Sequence, residues 1–244
     1  MTDRKKRIEF PYLSEDDIFQ FPSPLNATEE GIVAIGGNLS PGMLLSAYSQ
    51  GIFPWYSDDS PILWWSPDPR FVLFPEELHV PHSLERVLKK KEYSFSLDTR
   101  FRDVITACSR IPRPGQDGTW ITDTMIEGYY ILHQLGYAHS VEVYQNGEFV
   151  GGLYGVSLGS VFFGESMFTW VPNGSKAALV VLVQYLRTKG FQMIDSQVPT
   201  EHLSRFGARS IPRVQYLSLL RKGLEFPTYK GPWNRMFPDF PHDA

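Results

Sequence analysis

Apolar and polar positions change rhythm along the chain. Through residues 1–70 the apolar side chains arrive in clusters broken by proline (FPYL, FQFPSPL, GIFPWY, LWWSPDPR), and neither a helical nor a strand period holds for long. Proline removes a backbone donor and interrupts regular elements, so this stretch predicts a small irregular layer whose aromatics wedge against something larger. Within it, Ser40-Pro41 reads as a cap and first-turn proline, opening a helix to about residue 50 that Gly51 stops.

Beyond residue 70 the rhythm becomes alternately helical and extended. The pattern predicts a strand over 70–74, a helix over 82–91, a strand over 93–97 and an Asp98-capped helix over 100–109. A loop over 111–119 follows, then a helix from Thr122 to Gln134 that stops before Gly136. HSVEVYQ alternates, Asn146-Gly147 is a hairpin turn of the primed type, and EFVGGLYGV returns. A second turn at 157–159 leads into SVFFGESMF. SKAALVVLVQYLRTKG is an apolar helix, FQMIDSQV a buried strand, and a last helix lies near 213–222. This order predicts an α+β, mixed α/β fold with helices packed on a mixed, mainly antiparallel sheet. Two domains are expected, 1–70 and 71–244.

Composition narrows the class. In 244 residues, 42% are hydrophobic and 20% charged, which excludes disorder, collagen and coiled coil. The single cysteine, Cys108, cannot make an internal disulfide or a cysteine metal cluster, and a reducing cytoplasm is the economical reading. No apolar run is long enough for a signal peptide or a membrane span. A net charge of −4 argues against a protein that coats nucleic acid nonspecifically, yet leaves room for a local basic patch. The six histidines show no metal-binding spacing, and GxSxG, Walker and Rossmann glycine patterns are missing. Neither a metal nor a cofactor is expected.

Five groups of residues could carry chemistry. Glu165 follows Gly164 at the end of an apolar strand, where a carboxylate is costly to bury unless it has work to do; a solvent-facing strand end is the plainer reading. Alternation puts Asp195 and Gln197 on one face of MIDSQV, either as a pair lining a cleft or as the polar fringe of a strand. The loop Asn173-Gly174-Ser175-Lys176 opens a helix, a natural anion seat, although Asn and Ser are also the commonest caps. The aromatics Tyr48, Trp55, Tyr56, Trp64, Trp65, Trp120, Tyr129, Phe162 and Phe163 could stack a nucleobase or line an apolar pocket; each singly reads more plainly as core, while the set, much of it in Pro/Gly-rich segments, points to a site. Arg86, Lys89, Lys90 and Lys91, and separately Arg4, Lys5, Lys6 and Arg7, form basic clusters that suit phosphate or simply a solvated face.

Taken together, LLSAYSQGIFPWY, ILWWSPDPR, GTWIT, LHQLGYAHSVEV, VGGLYGVSLGSVFFGESMF, SKAALV and IDSQV closely resemble the leucyl/phenylalanyl-tRNA–protein transferase family over roughly residues 20–220. The resemblance implies an acetyltransferase-like (GNAT) C-terminal domain. It implies transfer of Leu or Phe, and less well Met, from aminoacyl-tRNA to proteins beginning with Arg or Lys, which marks them for N-end-rule degradation. By resemblance Tyr48, Trp55, Trp120 and Tyr129 surround the 3′ adenosine, and Leu153, Phe162 and Met167 hold the aminoacyl side chain. Glu165, Asp195 and Gln197 hold the acceptor, and Arg86, Lys89, Lys90 and Lys91 meet the tRNA stem. Leu-tRNA, Phe-tRNA and the acceptor protein are then the partners of a cytoplasmic monomer, with no membrane involved.

The chemistry asks for little base strength. The ester is already activated, and an α-amino group with a pKa of about 7.7–8.0 is partly neutral near pH 7.5. Alignment supplies on the order of 7–11 kcal/mol. The expected arrangement has Asp195 bonding the Gln197 side-chain amide, whose carbonyl orients the amine, while Glu165 pairs with the acceptor's charge. Two other readings stay open: an acyl-CoA N-acyltransferase of the same fold, and a catalytically silent RNA-binding adaptor. Against the first, Pro172-Asn173-Gly174-Ser175-Lys176 stands where a pyrophosphate-gripping Q/R-x-x-G-x-G/A loop belongs. Against the second, all three polar residues are present.

Overall fold

A computed structural model describes residues 10–111 and 120–243. Residues 112–119 of the expected loop over 111–119 and the basic Arg4, Lys5, Lys6 and Arg7 lie outside the described residues. The proline-rich N-terminal stretch does build a sheet, which its composition did not announce. β1 (Ile32–Ile35), β2 (Phe53–Pro54) and β3 (Leu63–Trp65) form a three-stranded sheet in the order β1-β3-β2, with α1 (Pro41–Ser49) between the first two. The sequence reading puts a Ser40 cap on α1, but that side chain makes no cap bond. It donates to Asn38 and accepts from the Leu13 amide instead, tying the N-terminal segment down.

The large sheet has seven strands. β4 (Arg70–Leu73) is followed by α2 (His82–Lys89), β5 (Ser94–Leu97), α3 (Phe101–Arg110) and α4 (Asp123–Gln134). Then come the hairpin β6 (Ala138–Gln145) and β7 (Glu148–Leu158), β8 (Val161–Thr169), α5 (Gly174–Thr188) and β9 (Met193–Asp195). α6 (Glu201–Ser204), β10 (Arg209–Ile211), α7 (Arg213–Gly223) and α8 (Trp233–Met236) complete the chain. Strand order is β10-β4-β9-β8-β7-β6-β5, antiparallel throughout except where β9 runs parallel to β8. The mixed, mainly antiparallel sheet expected from the element order is what forms.

Two apolar cores cover the faces of this sheet. On one face α1, α3 and α4 pack with the aromatic layer through Tyr48, Trp64, Tyr129 and Tyr154; on the other, α5 and the C-terminal tail pack through Leu179, Val183 and Trp233. The first core runs unbroken from Phe21 and Met43 into Phe163 and Met193, so the N-terminal layer shares its interior with the sheet. The sequence pattern makes Asp98 the cap of α3, and the fold uses it otherwise. It adopts a left-handed φ of 55° and accepts from the amides of Ser140 and Trp233 and from His139, pinning the tail to the sheet.

Candidate functional site

The site lies where the sheet comes apart. β8 and β9 pair only over Val161–Met193, Phe162–Ile194 and Phe163–Asp195, and beyond these pairs they diverge. At the same level the β7–β8 register slips: Tyr154 faces Ser166 while Gly155 faces Gly164, which leaves Glu165 as the extra residue of a β-bulge. A bulge re-aims one side chain, and here it turns Glu165 into the gap. The bulge needs Gly155, because a Cβ there would sit 2.2 Å from the Phe163 carbonyl oxygen. On the other wall the chain leaves β9 through Gln197 at a left-handed φ of 59°. Strand alternation therefore ends at Asp195, and the two polar residues do not share a face as the sequence period predicts.

A cleft of about 540 Å³ threads this gap. Trp55, Trp120 and Tyr154 line it from the aromatic side, and Leu153, Phe162, Met167 and the α5 residues Leu179, Leu182 and Val183 from the other. Its lining is mainly apolar, with Glu165, Ser166, Gln197 and His202 among its polar groups. An apolar pocket with a few convergent polar groups is the usual build of a small-ligand site.

Glu165 is half-buried and holds three donors. Tyr48 donates to Oε1 at 2.7 Å, Tyr129 to Oε2 at 3.1 Å and the Gln197 amide to Oε1 at 3.2 Å, while the two phenol oxygens also touch each other. Burial raises its pKa against those hydrogen bonds, and the nearby Asp195 charge adds to the rise, which ends at about 7. Burial also lifts both tyrosines well above their ordinary value, so both keep their protons.

Asp195 is built differently. It is fully buried outside the cleft lining and takes Arg70 in a two-pronged pair, Nε to Oδ1 at 2.8 Å and Nη2 to Oδ2 at 2.7 Å. Tyr216 donates to Oδ2 at 2.7 Å, and Arg70 stacks between the Phe53 and Tyr216 rings. Burial alone pulls the guanidinium pKa down, but the Asp195 charge more than reverses it, so Arg70 stays charged.

Several expectations change on this geometry. Asp195 does not bond the Gln197 side-chain amide; it accepts the Gln197 backbone N–H at 3.0 Å and so fixes the turn, while Glu165 takes the amide. That engages the amide nitrogen of Gln197 with Glu165. Tyr48 and Tyr129 are fully buried behind Glu165 and do not line the cleft, because their hydroxyls are used on the carboxylate. Trp64 and Phe163 are also core residues, and Tyr56 and Trp65 pack against the core. Trp55 and Trp120, with Leu153, Phe162 and Met167, are brought together around the cleft. Arg86, Lys89, Lys90 and Lys91 stand at the end of α2 and the turn after it, Lys90 3.5 Å from Glu92. Asn173 is left-handed and makes no side-chain cap on α5.

The sequence reading missed Arg70, Tyr216 and His202. Nothing near Arg70 in the chain marks its partner. His202 lines the cleft with its Nε2 buried and without a hydrogen-bond partner among the described residues. Burial and the Lys176 and Arg205 charges lower its pKa, which keeps the ring neutral. Leu179, Leu182 and Val183 were findable, since i, i+3, i+4 spacing in SKAALVVLVQ marks one face of a helix. Among the described residues no group of His, Cys, Asp and Glu could hold a metal, and no helix is long and apolar enough to cross a membrane.

The cleft thus sets an apolar lining beside a hydrogen-bonded carboxylate and amide. The model of the leucyl/phenylalanyl-tRNA protein transferase family matches residues 72–221, and that of the family's N-terminal domain matches residues 37–68. A leucyl/phenylalanyl-tRNA–protein transferase of Myxococcus xanthus (strain DK1622) is 54% identical over 221 residues, covering 91% of this chain and 94% of the relative. Another, of Syntrophus aciditrophicus (strain SB), is 54% identical over 217 residues, covering 89% and 91%. The chain belongs to the leucyl/phenylalanyl-tRNA protein transferase family and is an aminoacyltransferase. Among solved structures, L-PGS from Bacillus licheniformis is similar with a TM-score of 0.42 at 11% identity, over 70% of this chain and 82% of that one, a likeness too distant to bear on the site.

Proposed function

We propose that this enzyme moves Leu or Phe, and less well Met, from aminoacyl-tRNA to the α-amino group of proteins beginning with Arg or Lys, marking them for N-end-rule degradation in the cytoplasm. The observation that carries the reading is the cleft itself, an apolar volume of about 540 Å³ that ends on the Glu165–Gln197 hydrogen bond. In this reading the sheet is acetyltransferase-like (GNAT), and the divergence of β8 and β9 is the place where acyl donor and amine meet. Leu153, Phe162 and Met167 take the aminoacyl side chain, and Trp55 and Trp120 flank the adenosine. Glu165 pairs with the acceptor ammonium, and the Gln197 carbonyl orients its nitrogen. Asp195 acts at one remove, as the positioning residue that holds the Gln197 backbone. The basic residues at the end of α2 add a sequence-blind pull on the acceptor stem.

An apolar pocket favours Leu and Phe without fully rejecting Met, because each methylene is worth only about 1–3 kcal/mol. The ester supplies the activation, so the protein's task is alignment and the handling of a proton. Labelled Phe-tRNA with a peptide beginning with Arg tests the proposal. Transfer that stops when the peptide begins with an acidic residue is expected; acyl transfer from acyl-CoA in place of aminoacyl-tRNA would overturn it. Gln197→Ala should slow the single turnover far more than it weakens tRNA binding, and an unchanged rate would remove Gln197 from its role.

A further inference from the structure

The oxygens around Glu165 are one proton short. Three hydrogen-bonding approaches link the Tyr48 hydroxyl, the Tyr129 hydroxyl and the two carboxylate oxygens: Tyr48 to Oε1, Tyr129 to Oε2, and Tyr48 to Tyr129. Each needs one proton, and the two phenols supply only two while the carboxylate is ionised. If both point at the carboxylate, the phenol oxygens face each other with lone pairs alone. One added proton on Oε2 closes the ring: Glu165 donates to Tyr129, Tyr129 to Tyr48, and Tyr48 to Oε1. We propose that Glu165 with Tyr48 and Tyr129 forms a one-proton store that takes the proton of the acceptor's ammonium, with the two tyrosines as positioning residues.

The surroundings agree. Tyr48 reaches in from α1, Tyr129 from α4 and Gln197 from the turn after β9, while Asp195 and Arg70 supply the nearest fixed charges from β9 and β4 and largely cancel as a pair. No cation bonds Glu165 directly among the described residues, so the carboxyl is not locked in its ionised form. Its pKa of about 7 lies close to that of an α-ammonium, about 7.7–8.0, so the proton can pass either way at small cost.

In the transfer, the ammonium gives one proton to Glu165, which frees the nitrogen lone pair. The N–C bond to the ester carbonyl forms and the C–O3′ bond breaks. The nitrogen gives up a second proton and the leaving 3′ oxygen gains one. The proton held on Glu165 then leaves to water, one for each amide made from an ammonium. This inference rests on the proposed acceptor reading but can be tested apart from it, on the free protein.

Infrared titration of the full chain should show a protonated-carboxyl band that is lost near neutral pH and is absent in Glu165→Gln. In Tyr48→Phe and Tyr129→Phe the midpoint should move by on the order of one pH unit, and an unchanged midpoint would mean that the phenols do not share the proton. The inflection in the single-turnover rate should move with it. A Glu165 band with an ordinary carboxyl midpoint in the parent, or a rate profile that ignores the shift, would overturn the store. Should a phenylalanine variant fail to fold, the parent and Glu165→Gln spectra still decide. If Phe transfer to Arg peptides is absent while the titration behaves as stated, the acceptor reading fails and the proton ring stands.

Discussion

Two carboxylates, Asp195 fully buried and Glu165 half-buried, sit at the same break in the sheet and have been given opposite surroundings. Asp195 has a guanidinium bound through two hydrogen bonds and a phenol, and it faces away from the cleft. Glu165 has two phenols and an amide but, among the described residues, no cation, and it forms part of the cleft wall. A paired charge is satisfied in either a resting or a reacting enzyme, so Asp195 is suited to hold a shape. Burial with no bonded cation raises the Glu165 pKa to about 7 against its own hydrogen bonds, so this carboxyl changes charge near neutral pH.

The contrast between the two acids breaks most visibly at Arg70. Arg70→Met strands the Asp195 charge in the interior, and a loss of about 3–5 kcal/mol in urea unfolding is expected. Much of it should return in the apolar double variant Arg70→Met/Asp195→Leu, as a double-mutant cycle would show. A single-variant loss under about 1 kcal/mol would mean the pair does not hold the wall.

Glu165 should show the reverse behaviour. Its folded pKa lies above the ordinary carboxyl value of 4.5, at about 7. Its contribution to stability is therefore full below about pH 4.5 and is lost as pH rises through about 7, a change of roughly 3 kcal/mol. Glu165→Gln should match the parent in urea unfolding at about pH 4 and exceed it by up to that amount at about pH 8. Equal stability at both pH values would place Glu165 in a solvated setting instead.

Smaller effects sharpen the contrast between wall and chemistry. Met167→Ala widens the apolar side of the cleft without touching either carboxylate, and in competition between Leu-tRNA and Phe-tRNA it should favour Phe by about 1–3 kcal/mol. Removing the charges of Lys89, Lys90 and Lys91 should leave single-turnover chemistry alone. It should lower the salt slope of tRNA binding by about 1 for each phosphate no longer neutralised. An unchanged slope would move the stem-binding surface elsewhere on the protein.

Local chemistry in the chain was enough for most of the elements. The Asn146-Gly147 turn between alternating strands, the Thr122 cap that accepts the Met125 amide, and the apolar run of α5 all form where their patterns place them. The residue types at the cleft were also legible, because a Glu beside a Gly in an apolar strand and a polar pair ending another are expensive unless used. Pairings were not. Arg70 and Asp195 lie 125 residues apart, and Tyr48 and Glu165 are 117 apart. Period-2 alternation failed at Asp195 because the strand stops there and Gln197 turns left-handed. The three-stranded sheet was hidden because each of its short strands is set by a partner and not by its own pattern.

What the sequence determined by itself is the order of helices and strands and the stock of acids, amides and aromatics near the break. What tertiary structure alone decided is which carboxylate meets a cation and which is left to titrate. Propensity and periodicity are properties of neighbouring residues, whereas desolvation and ion pairing depend on whatever distant side chain the fold brings within a few ångströms.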